Sequence, residues 1–404
     1  MTPSTSTPAP ADDPADRLAR ITWSLIAEPS DPVALLARSL LGPVEALTLA
    51  REGTDTELTT RLGGELPADA AEPGAPHERS RRALARWRSR WAEIDLDAVL
   101  EDAGRRRIRI LTPADPEWPA PLADLQETSP HCLWVQGPGR LDELIASRCA
   151  AIVGSRASTP YGEDAATGFG AELAARGGTV VSGGAYGIDA AAHRGALAAP
   201  DGATVAVLAG GLDRLYPRGN TDLLERIRDD HLVLSEAPPG TAPTRWRFLA
   251  RNRLIAALGQ AVLVVEASWR SGALSTARLA DQLSRPVGAV PGPITSAASA
   301  GCHRVIRERG AVLVTEPSEL LDLLPGGPAA GDGSFAVQDE LDLLSPADRR
   351  VLDAVPPRSS LAIARIAREV GFGQAEVDAA LARLALLGLV ETLGDRARRA
   401  RHRR

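Results

Sequence analysis

Short apolar stretches alternate with helical stretches through the middle of this chain, and this alternation limits the possible folds more than any other feature. The apolar stretches are four to six residues long and lie at 149–153, 179–182, 204–209, 232–235, 261–265, 286–290 and 311–315. Strands with this continuous apolar character belong to parallel sheets that helices cover on both faces. The pattern therefore predicts an α/β protein with a Rossmann-like, doubly wound and mostly parallel sheet.

Changes in composition divide the rest of the 404-residue chain. The prediction is a disordered leader (1–16), a small helical domain similar to SAM or helix-hairpin-helix domains (17–105), an extended Rossmann-like domain (106–324), a linker (325–342), a winged-helix-like domain (343–395) and an arginine-rich tail (396–404). Three helical patterns followed by an extended segment are typical of a winged helix. Such domains bind DNA in some proteins and other proteins in many more, and spacing leaves that choice open.

The charge is distributed unevenly. The formal net charge is −6, yet six arginines fall within the last nine residues, so the remainder carries −12. An acidic protein can still present a local basic groove, and nucleic acid is therefore not excluded as a partner. All 46 basic residues are arginine, so a phosphate-binding loop of the GxxxxGK[ST] kind is excluded.

Cysteine usage and hydropathy indicate a cytoplasmic protein without membrane association. Cys132, Cys149 and Cys302 have no C-x-x-C spacing, and their odd number argues against a disulfide framework. No apolar run reaches the length of a membrane span, and the N-terminus lacks the pattern of a signal peptide. We also expect no metal ion and no cofactor.

Arginines alternate with Trp87 and Trp91 in the stretch 78–91. This arrangement suits contact with a nucleic-acid strand. It equally suits an arginine-coated helix that uses its tryptophans as core anchors, and general expectation favours this second interpretation.

Two glycine turns follow predicted strands and have the composition of anion sites. In the first, Gly154 ends a strand while Ser155 offers a hydroxyl and Arg156 a charge. In the second, the turn is formed by Ser182, Gly183, Gly184 and Gly187. Free backbone N–H groups at a helix N-terminus favour a phosphate. The alternative is that these glycines only allow close packing of strand and helix. Neither turn matches G-x-G-x-x-G, so a dinucleotide is disfavoured.

Two further stretches extend the predicted basic groove. Arg251 and Arg253 flank Asn252, which is available to fix backbone geometry, just before the most apolar strand. We expect one of the two arginines to face the groove and the other to anchor the loop. After that strand, Arg270, Ser271 and Gly272 again present hydroxyl and N–H groups to an anion.

Six stretches together, in this order, resemble the DNA-processing protein A family, also called DprA or Smf. They are AIVGSRASTPYG (151–162), VVSGGAYGIDAAAHRGAL (180–197), VAVLAGGLDRLYPRGN (205–220), LVLSEAPPG (232–240), RNRLIAALGQAVLVVEASWRSGALSTARLA (251–280) and VGAVPGPITSAASAGCHRVIRERGA (287–311). The match covers about residues 110 to 320.

The resemblance implies a Rossmann-like core that binds single-stranded DNA without catalysis, forms a homodimer and helps to load the RecA recombinase on incoming strands during natural transformation. It places the family's strand-tip arginine on Arg156, its second glycine turn on the segment 182–187, and its basic-Asn-basic run on 251–253. Family members often have Gly-Leu-Ala or Gly-Met-Ala after the serine of that turn, whereas this chain has Gly183-Gly184-Ala185 followed by Tyr186. Tyr186 would either stack on a base or shield the turn.

A nucleotide-processing enzyme is the alternative function. Related Rossmann-like proteins that hydrolyse nucleoside monophosphates place an acid at a strand end before a Gly/Ser/Thr turn, as Glu266 stands before Ser271, Gly272 and Thr276 here. Their P-G-G-x-G-T stretch is absent from this sequence. Asp189 and His193 lie four residues apart on the next helix, but a structural role for both is the expectation.

Overall fold

The computed structural model describes residues 13–64, 66, 74–146, 148–325, 344–356 and 359–400. The chain divides into two compact units, Met1–Ala330 and Gly331–Arg404. The predicted linker (325–342), except for residue 325, and residues 1–12 of the predicted leader lie outside the described residues. The first helix begins at Pro14, within the predicted leader.

A nine-stranded sheet forms the centre of the first unit. Its strands are β1 (Arg109–Leu111), β2 (Leu133–Gln136), β3 (Cys149–Val153), β4 (Thr179–Ser182), β5 (Ala203–Leu208), β6 (Leu232–Ser235), β7 (Ala261–Val264), β8 (Val287–Ala289) and β9 (Val312–Leu313). Their order in the sheet is β1-β2-β6-β5-β4-β3-β7-β8-β9. Strands β3 to β9 are parallel, and β2 joins β6 antiparallel. The predicted fold class is therefore confirmed.

The chain order of the parallel strands reverses between β3 and β7. From β3 the chain runs outward through β4, β5 and β6, and it then returns to place β7 on the other side of β3. The carboxyl ends of β3 and β7 lie side by side. Such a switch point leaves a crevice between two loops that diverge, and ligands of open α/β sheets bind there.

Helices cover both faces of the sheet. They are α7 (Leu141–Ala146), α8 (Pro160–Ala175), α9 (Ile188–Ala198), α10 (Thr221–Asp230), α11 (Arg245–Leu258), α12 (Ala273–Gln282), α13 (Ala300–Arg309) and α14 (Pro317–Asp322), with 3₁₀ turns at Ala120–Thr128 and Arg218–Asn220. Successive strand residues point to opposite faces, so Val180 and Val181 belong to two different hydrophobic clusters. This two-sided burial is why the strands read as continuous apolar runs.

Six helices precede the sheet among the described residues. They are α1 (Pro14–Ile26), α2 (Pro32–Leu41), α3 (Pro43–Glu52), α4 (Asp55–Arg61), α5 (Pro76–Trp91) and α6 (Leu96–Arg105). The starts of α1 and α2 follow from sequence, because Asp13 and Asp31 accept N-cap hydrogen bonds and proline occupies the first turn. Their core includes Trp23 and Trp87, whose rings meet edge to face at 5.0 Å.

The arginine-rich stretch 78–91 lies on α5 and serves the structure. Trp87 is buried and donates to Asp31 at 3.1 Å. Arg88 donates to the carbonyl oxygen of Ala50, and Arg90 pairs with Glu28. The second interpretation of this stretch, a helix anchored by its tryptophan, therefore describes the structure.

The helical segment shares a core with the sheet. Ile21 of α1 and Ala103 of α6 are buried in one cluster with Trp134 of β2 and Val233 of β6. The boundary predicted at 105/106 thus marks the end of a helix within one compact unit.

The described residues of the second unit, 344–356 and 359–400, form three helices and a small sheet. These are α15 (Pro346–Ala354), α16 (Ile363–Val370), α17 (Gln374–Leu386), β10 (Leu361–Ala362), β11 (Val390–Leu393) and β12 (Arg396–Arg399), with sheet order β10-β12-β11. The order of elements is compatible with the predicted winged helix. The tail predicted at 396–404 requires correction, because Arg396–Arg399 form the central strand of this sheet and Ala397 is fully buried.

Candidate nucleic-acid interface

A cleft of about 670 Å³ opens at the switch point, beyond the carboxyl ends of β3 and β7. The loops that follow β3, β6 and β7 form its walls together with one face of α11. Four arginines line it, Arg156, Arg245, Arg251 and Arg270, against the single carboxylate of Asp189. The lining of the cleft therefore carries an excess of positive charge.

Arg156 is exposed at the mouth of the cleft, in the loop after β3. Its guanidinium carbon lies 4.3 Å from the ring centroid of Phe248, a cation–π distance that holds the side chain in place. Glu163, an acid seven residues further along the chain, accepts from Ser158 Oγ at 2.7 Å. No carboxylate among the described residues forms an ion pair with Arg156, so its charge is available to a ligand.

Arg251 forms part of the cleft wall and is 6% exposed. Its Nη1 donates to the carbonyl oxygen of Val207 at 2.6 Å, while its buried Nε has no partner among the described residues. Burial lowers the pKa of Arg251 to about 10, and the charge of Asp189 opposes that effect. Arg251 therefore stays protonated at neutral pH and adds positive potential to the cleft.

Arg253 does not reach the cleft. It donates two hydrogen bonds of 2.7 Å to Glu236 and a third, of 2.9 Å, to the carbonyl oxygen of Thr128. Residues two apart on a helix point in different directions, so Arg251 and Arg253 cannot share one face. The prediction that Arg253 contacts nucleic acid is corrected to a structural anchor, and of the two arginines Arg251 is the one at the cleft.

Asn252 lines the cleft and joins its two helices. Its Nδ2 donates to Ser275 Oγ at 2.8 Å and to the carbonyl oxygen of Gly272 at 3.4 Å. These bonds tie α11 to the start of α12. They give Asn252 the role of fixing backbone geometry that the sequence suggests.

Ser182, Gly183 and Gly184 of the second glycine turn are buried and do not line the cleft, although Ala185 of the same turn does. Ser182 is fully buried and donates to the carbonyl oxygen of Ile152 at 2.6 Å. Gly183 leaves room for a neighbour, because a Cβ there would lie 1.8 Å from Nη1 of Arg251. Gly184 is buried against Leu224 and Leu208 with φ +65°. These three predicted contacts are corrected to packing roles.

Gly187 packs the second turn against the first. With φ +75°, it sits where a Cβ would come within 2.3 Å of the carbonyl oxygen of Ser155. No other residue type fits this approach without a shift of backbone. Gly187 therefore supports the loop of Ser155 and Arg156 from behind instead of touching a ligand, whereas Ser155 itself lines the cleft.

The loop after β7 supplies the opposite wall, as the sequence predicts. Arg270 is exposed there, and Ser271 and Gly272 line the cleft beside it. Ser271 Oγ accepts from the backbone N–H of Ala273 at 3.3 Å, at the start of α12. The structure therefore brings Ser155, Arg156 and this loop together across one cleft.

Sequence reasoning missed Phe248 as a member of the site. It lies on α11 three residues after Arg245 and four before Asn252, and residues at this spacing share one helix face. All three line the cleft. The stretch RWRFLARNR has an aromatic residue among arginines at helical spacing, which suits a nucleic-acid contact. The stretch 78–91 has the same pattern and serves the structure, so the pattern alone does not decide.

Glu266 is not available as a catalytic acid. It is 2% exposed and accepts from the backbone N–H of Thr159 at 2.9 Å and from the Thr159 hydroxyl at 2.6 Å. Thr159 is in turn the N-cap of α8. Glu266 therefore ties the loop after β3 to the end of β7.

His193 and Asp189 have the structural surroundings that the sequence suggests. His193 is fully buried, its Nδ1 lies 2.7 Å from Thr204 Oγ1, and burial lowers its pKa to about 3. Burial also raises the pKa of Asp189, while the positive charge of Arg251 lowers it in part. The imidazole is neutral and has no path to the cleft.

Tyr186 packs on the loop that follows β5. Its hydroxyl accepts from the backbone N–H of Gly219 at 3.0 Å, and the ring lies against the same glycine. The ring nevertheless remains 45% exposed. The contact shields the turn and leaves part of the ring open to solvent.

The sequence profile of the family described as "DNA recombination-mediator protein A" matches residues 109–325, which contain the sheet and the cleft. The chain belongs to this DprA/Smf family. The resemblance found in the six sequence stretches is thereby confirmed.

Relatives within the family extend the match beyond the sheet. A Mycobacterium tuberculosis protein that carries the DprA name is 44% identical over 382 residues, which are 91% of this chain and 90% of the relative. Protein Smf of Escherichia coli is 39% identical over 58% of this chain and 63% of its own length. The X-ray structure of DNA processing protein A from Streptococcus pneumoniae aligns with a TM-score of 0.57 at 31% identity, covering 76% of this chain and 96% of that one.

Within the part of the chain that the structure describes, no helix has the length and apolar character needed to cross a membrane. The same residues contain no group of three or more His, Cys, Asp or Glu side chains placed to hold a metal ion.

Proposed function

We propose that this chain binds single-stranded DNA in the cleft at the switch point, and that it does so without catalysis. The observation that carries the proposal is the pair formed by Arg156 and Phe248, a free guanidinium held over an aromatic ring at the mouth of a cationic cleft. Arginine and aromatic side chains together form the usual surface for an unpaired strand, in which the charge attracts phosphate and the ring contacts a base.

The size of the cleft favours single strands over duplex. Its volume of about 670 Å³ lies in the range of small-ligand sites. One or two nucleotide units fit such a space, whereas a duplex is too wide to enter it. Arg156, Arg245 and Arg270 are positioned to contact phosphates, so binding is expected to tolerate any sequence and to weaken with salt.

The contacts of Glu266 argue against the hydrolase alternative. Both carboxylate oxygens of Glu266 are engaged by Thr159, and His193 is buried beneath the sheet edge. A general acid or base must reach the group that it protonates. Neither side chain does so.

Membership of the family supports the finer part of the proposal, namely protection of incoming strands, help in loading the RecA recombinase in the cytoplasm, and a homodimer. For the dimer, strand β9 offers an open sheet edge with Val312 and Leu313 exposed by 47% and 48%. An exposed apolar edge strand is a template for pairing with a second copy. Sedimentation of wild type and of a Val312→Lys/Leu313→Lys variant tests this edge, and an unchanged mass would contradict it.

A salt-titrated binding comparison tests the central proposal. Fluorescence anisotropy is followed for labelled oligo(dT) and for a duplex of equal length with the full chain. Single strands are expected to bind more tightly, and Arg156→Ala is expected to weaken binding about 10-fold and to reduce the salt slope by about 0.7, the share of one phosphate contact. Arg278→Ala, an exposed arginine on α12 outside the cleft lining, is the matched control.

Three results would overturn the proposal. They are equal affinity for duplex, no effect of Arg156→Ala, and release of free base from a nucleoside monophosphate by the wild-type protein. RecA assembly on single-stranded DNA, measured with and without this protein, tests the loading role separately.

A further inference from the structure

All exposed aromatic side chains among the described residues lie at one edge of the central sheet. They are Tyr161, Tyr186, Tyr216, Trp246 and Trp269, each between 45% and 52% exposed. The set includes all three tyrosines of the chain and two of its seven tryptophans. The other described aromatic rings are buried or half-buried.

Topology places these five residues in a row. Each follows a different parallel strand: Tyr186, Tyr216 and Trp269 lie in loops, and Tyr161 and Trp246 lie in the first turns of α8 and α11, which begin at the carboxyl edge. Across the neighbouring strands β6, β5, β4, β3 and β7, the order is Trp246, Tyr216, Tyr186, Tyr161 and Trp269. We call this set the aromatic row. With neighbouring strands about 4.8 Å apart, it spans roughly 19 Å.

Individual contacts hold several rings of the aromatic row in place. The Tyr161 hydroxyl donates to the carbonyl oxygen of Pro291 at 2.7 Å, and the guanidinium carbon of Arg304 lies 4.8 Å from the ring centroid of Trp269. Tyr216 lies 6.1 Å from Phe248 between centroids. Rings held in this way lose little conformational freedom when a ligand covers them.

Positive charge accompanies the aromatic row. Arg156, Arg245 and Arg270 are exposed on the same edge, each within five residues of Tyr161, Trp246 or Trp269 in the chain. Exposed guanidinium groups beside exposed rings match the phosphates and bases of a nucleic-acid strand. Charge complementarity thus selects a nucleic-acid strand as the occupant.

We propose that the aromatic row stacks the bases of a single DNA strand that crosses the sheet edge perpendicular to the strands. This inference rests on the proposed function and deepens it, because the cleft then holds only the central part of a longer path. At 3.4 Å per stacked nucleotide, roughly 19 Å corresponds to about six nucleotides. The protein then contacts the bases as well as the phosphates.

The two ends of the aromatic row provide the test. Trp246→Leu and Trp269→Leu keep an apolar side chain at exposed positions but remove the flat ring. Binding is measured to (dT)12 and to a 12-mer of abasic nucleotides with the same number of phosphates. Wild type is expected to bind (dT)12 at least 5-fold more tightly than the abasic strand. Each substitution is expected to weaken (dT)12 about 5-fold or more and to leave the abasic strand unchanged, while Trp246→Phe and Trp269→Phe retain most of the affinity.

The control is Leu40→Ala, at a 54% exposed apolar position on α2, which should bind both oligonucleotides as wild type does. If the leucine variants bind (dT)12 like wild type while Arg156→Ala weakens both ligands, the aromatic row is refuted and the binding function stands. If wild type binds neither ligand, the proposed function itself fails. Variants that keep (dT)12 affinity but lose a complex with RecA would show a protein-docking edge, which also overturns the inference.

Discussion

Arg253 donates two hydrogen bonds of 2.7 Å to Glu236, and the two side chains are 7% and 6% exposed. This buried pair links α11 to the segment after β6. Removing one member of such a pair leaves an uncompensated charge in the interior. The neighbouring Arg251 has no such carboxylate bond, so the two arginines have separable effects.

We expect Arg253→Met to lower the free energy of unfolding by about 3–5 kcal/mol, because Glu236 then remains buried without its partner. The double variant Arg253→Met/Glu236→Leu should recover much of this loss. Chemical denaturation measures both. Arg278→Met on the exposed face of α12 is expected to stay within about 0.5 kcal/mol of wild type, and a loss below about 1 kcal/mol in the Arg253 single variant would contradict the anchoring role.

Gly183→Ala is expected to weaken single-stranded DNA binding through Arg251. The added methyl group would lie 1.8 Å from Nη1 of Arg251, so the guanidinium must leave its place in the cleft wall. Overpacking of this kind also costs about 1–3 kcal/mol of stability. Anisotropy with oligo(dT) measures the affinity, and Gly168→Ala, where a Cβ meets nothing within 4 Å, is the matched glycine control. Unchanged affinity in Gly183→Ala would remove Arg251 from the site.

We expect Glu266→Gln to lower the stability of the protein and to leave catalytic rates unchanged. The substitution weakens the charge-assisted bonds to Thr159, which should lower the free energy of unfolding by about 1–3 kcal/mol. Assays for release of base from nucleoside monophosphates should show no turnover in either protein. Turnover in wild type that is lost in the variant would restore the enzyme hypothesis.

Acidification is expected to destabilise the fold through His193. Its pKa is about 3 in the folded state because burial disfavours the charged form, against an ordinary value of 6.5. Between these values the unfolded chain binds the extra proton, so this contribution to stability is present above pH 6.5 and is lost progressively as the pH falls towards 3. Between pH 7 and pH 5 the loss from this residue is about 2 kcal/mol.

Denaturation of wild type and His193→Gln at pH 7 and pH 5 measures this effect. The quantity to compare is the change in the free energy of unfolding between pH 7 and pH 5. The substitution also alters the hydrogen bond to Thr204, which changes the stability at both pH values. The variant should lose less stability on acidification than wild type. An equal loss would mean that His193 is accessible to protons in the folded state.

The parallel strands of the sheet could be predicted from the sequence, because a continuously apolar strand is stable in water only when helices cover both faces of its sheet. All seven predicted strands are present, although the last shortens to Val312–Leu313 at the open edge. Strands β1 and β2 were not predicted. They are short and join the sheet antiparallel without an intervening helical repeat, so periodicity did not distinguish them from a linking segment.

The candidate site was only partly predictable, because composition does not show what fills the space beside a residue. Gly183 has the same appearance in sequence whether it admits a phosphate or, as observed, the guanidinium of Arg251. Arg251 and Arg253 differ by two positions, and only the location of Glu236 in space decides which one is neutralised. Phe248 could be assigned to the site only after Arg245 and Asn252 were recognised as lying on the same helix face.

Glu28 of the helical segment accepts from Arg247 at 2.8 and 2.9 Å, at the turn of α11 that also carries Arg245 and Phe248. A fragment that begins at the sheet would therefore lack the counter-ion of Arg247 and carry one more unneutralised cation at the rim of the cleft. Its affinity for a polyanion would be raised by truncation itself. Glu28 thus neutralises Arg247 beside the cleft, and we expect a fragment that begins at the sheet to bind a polyanion more tightly than the intact protein does.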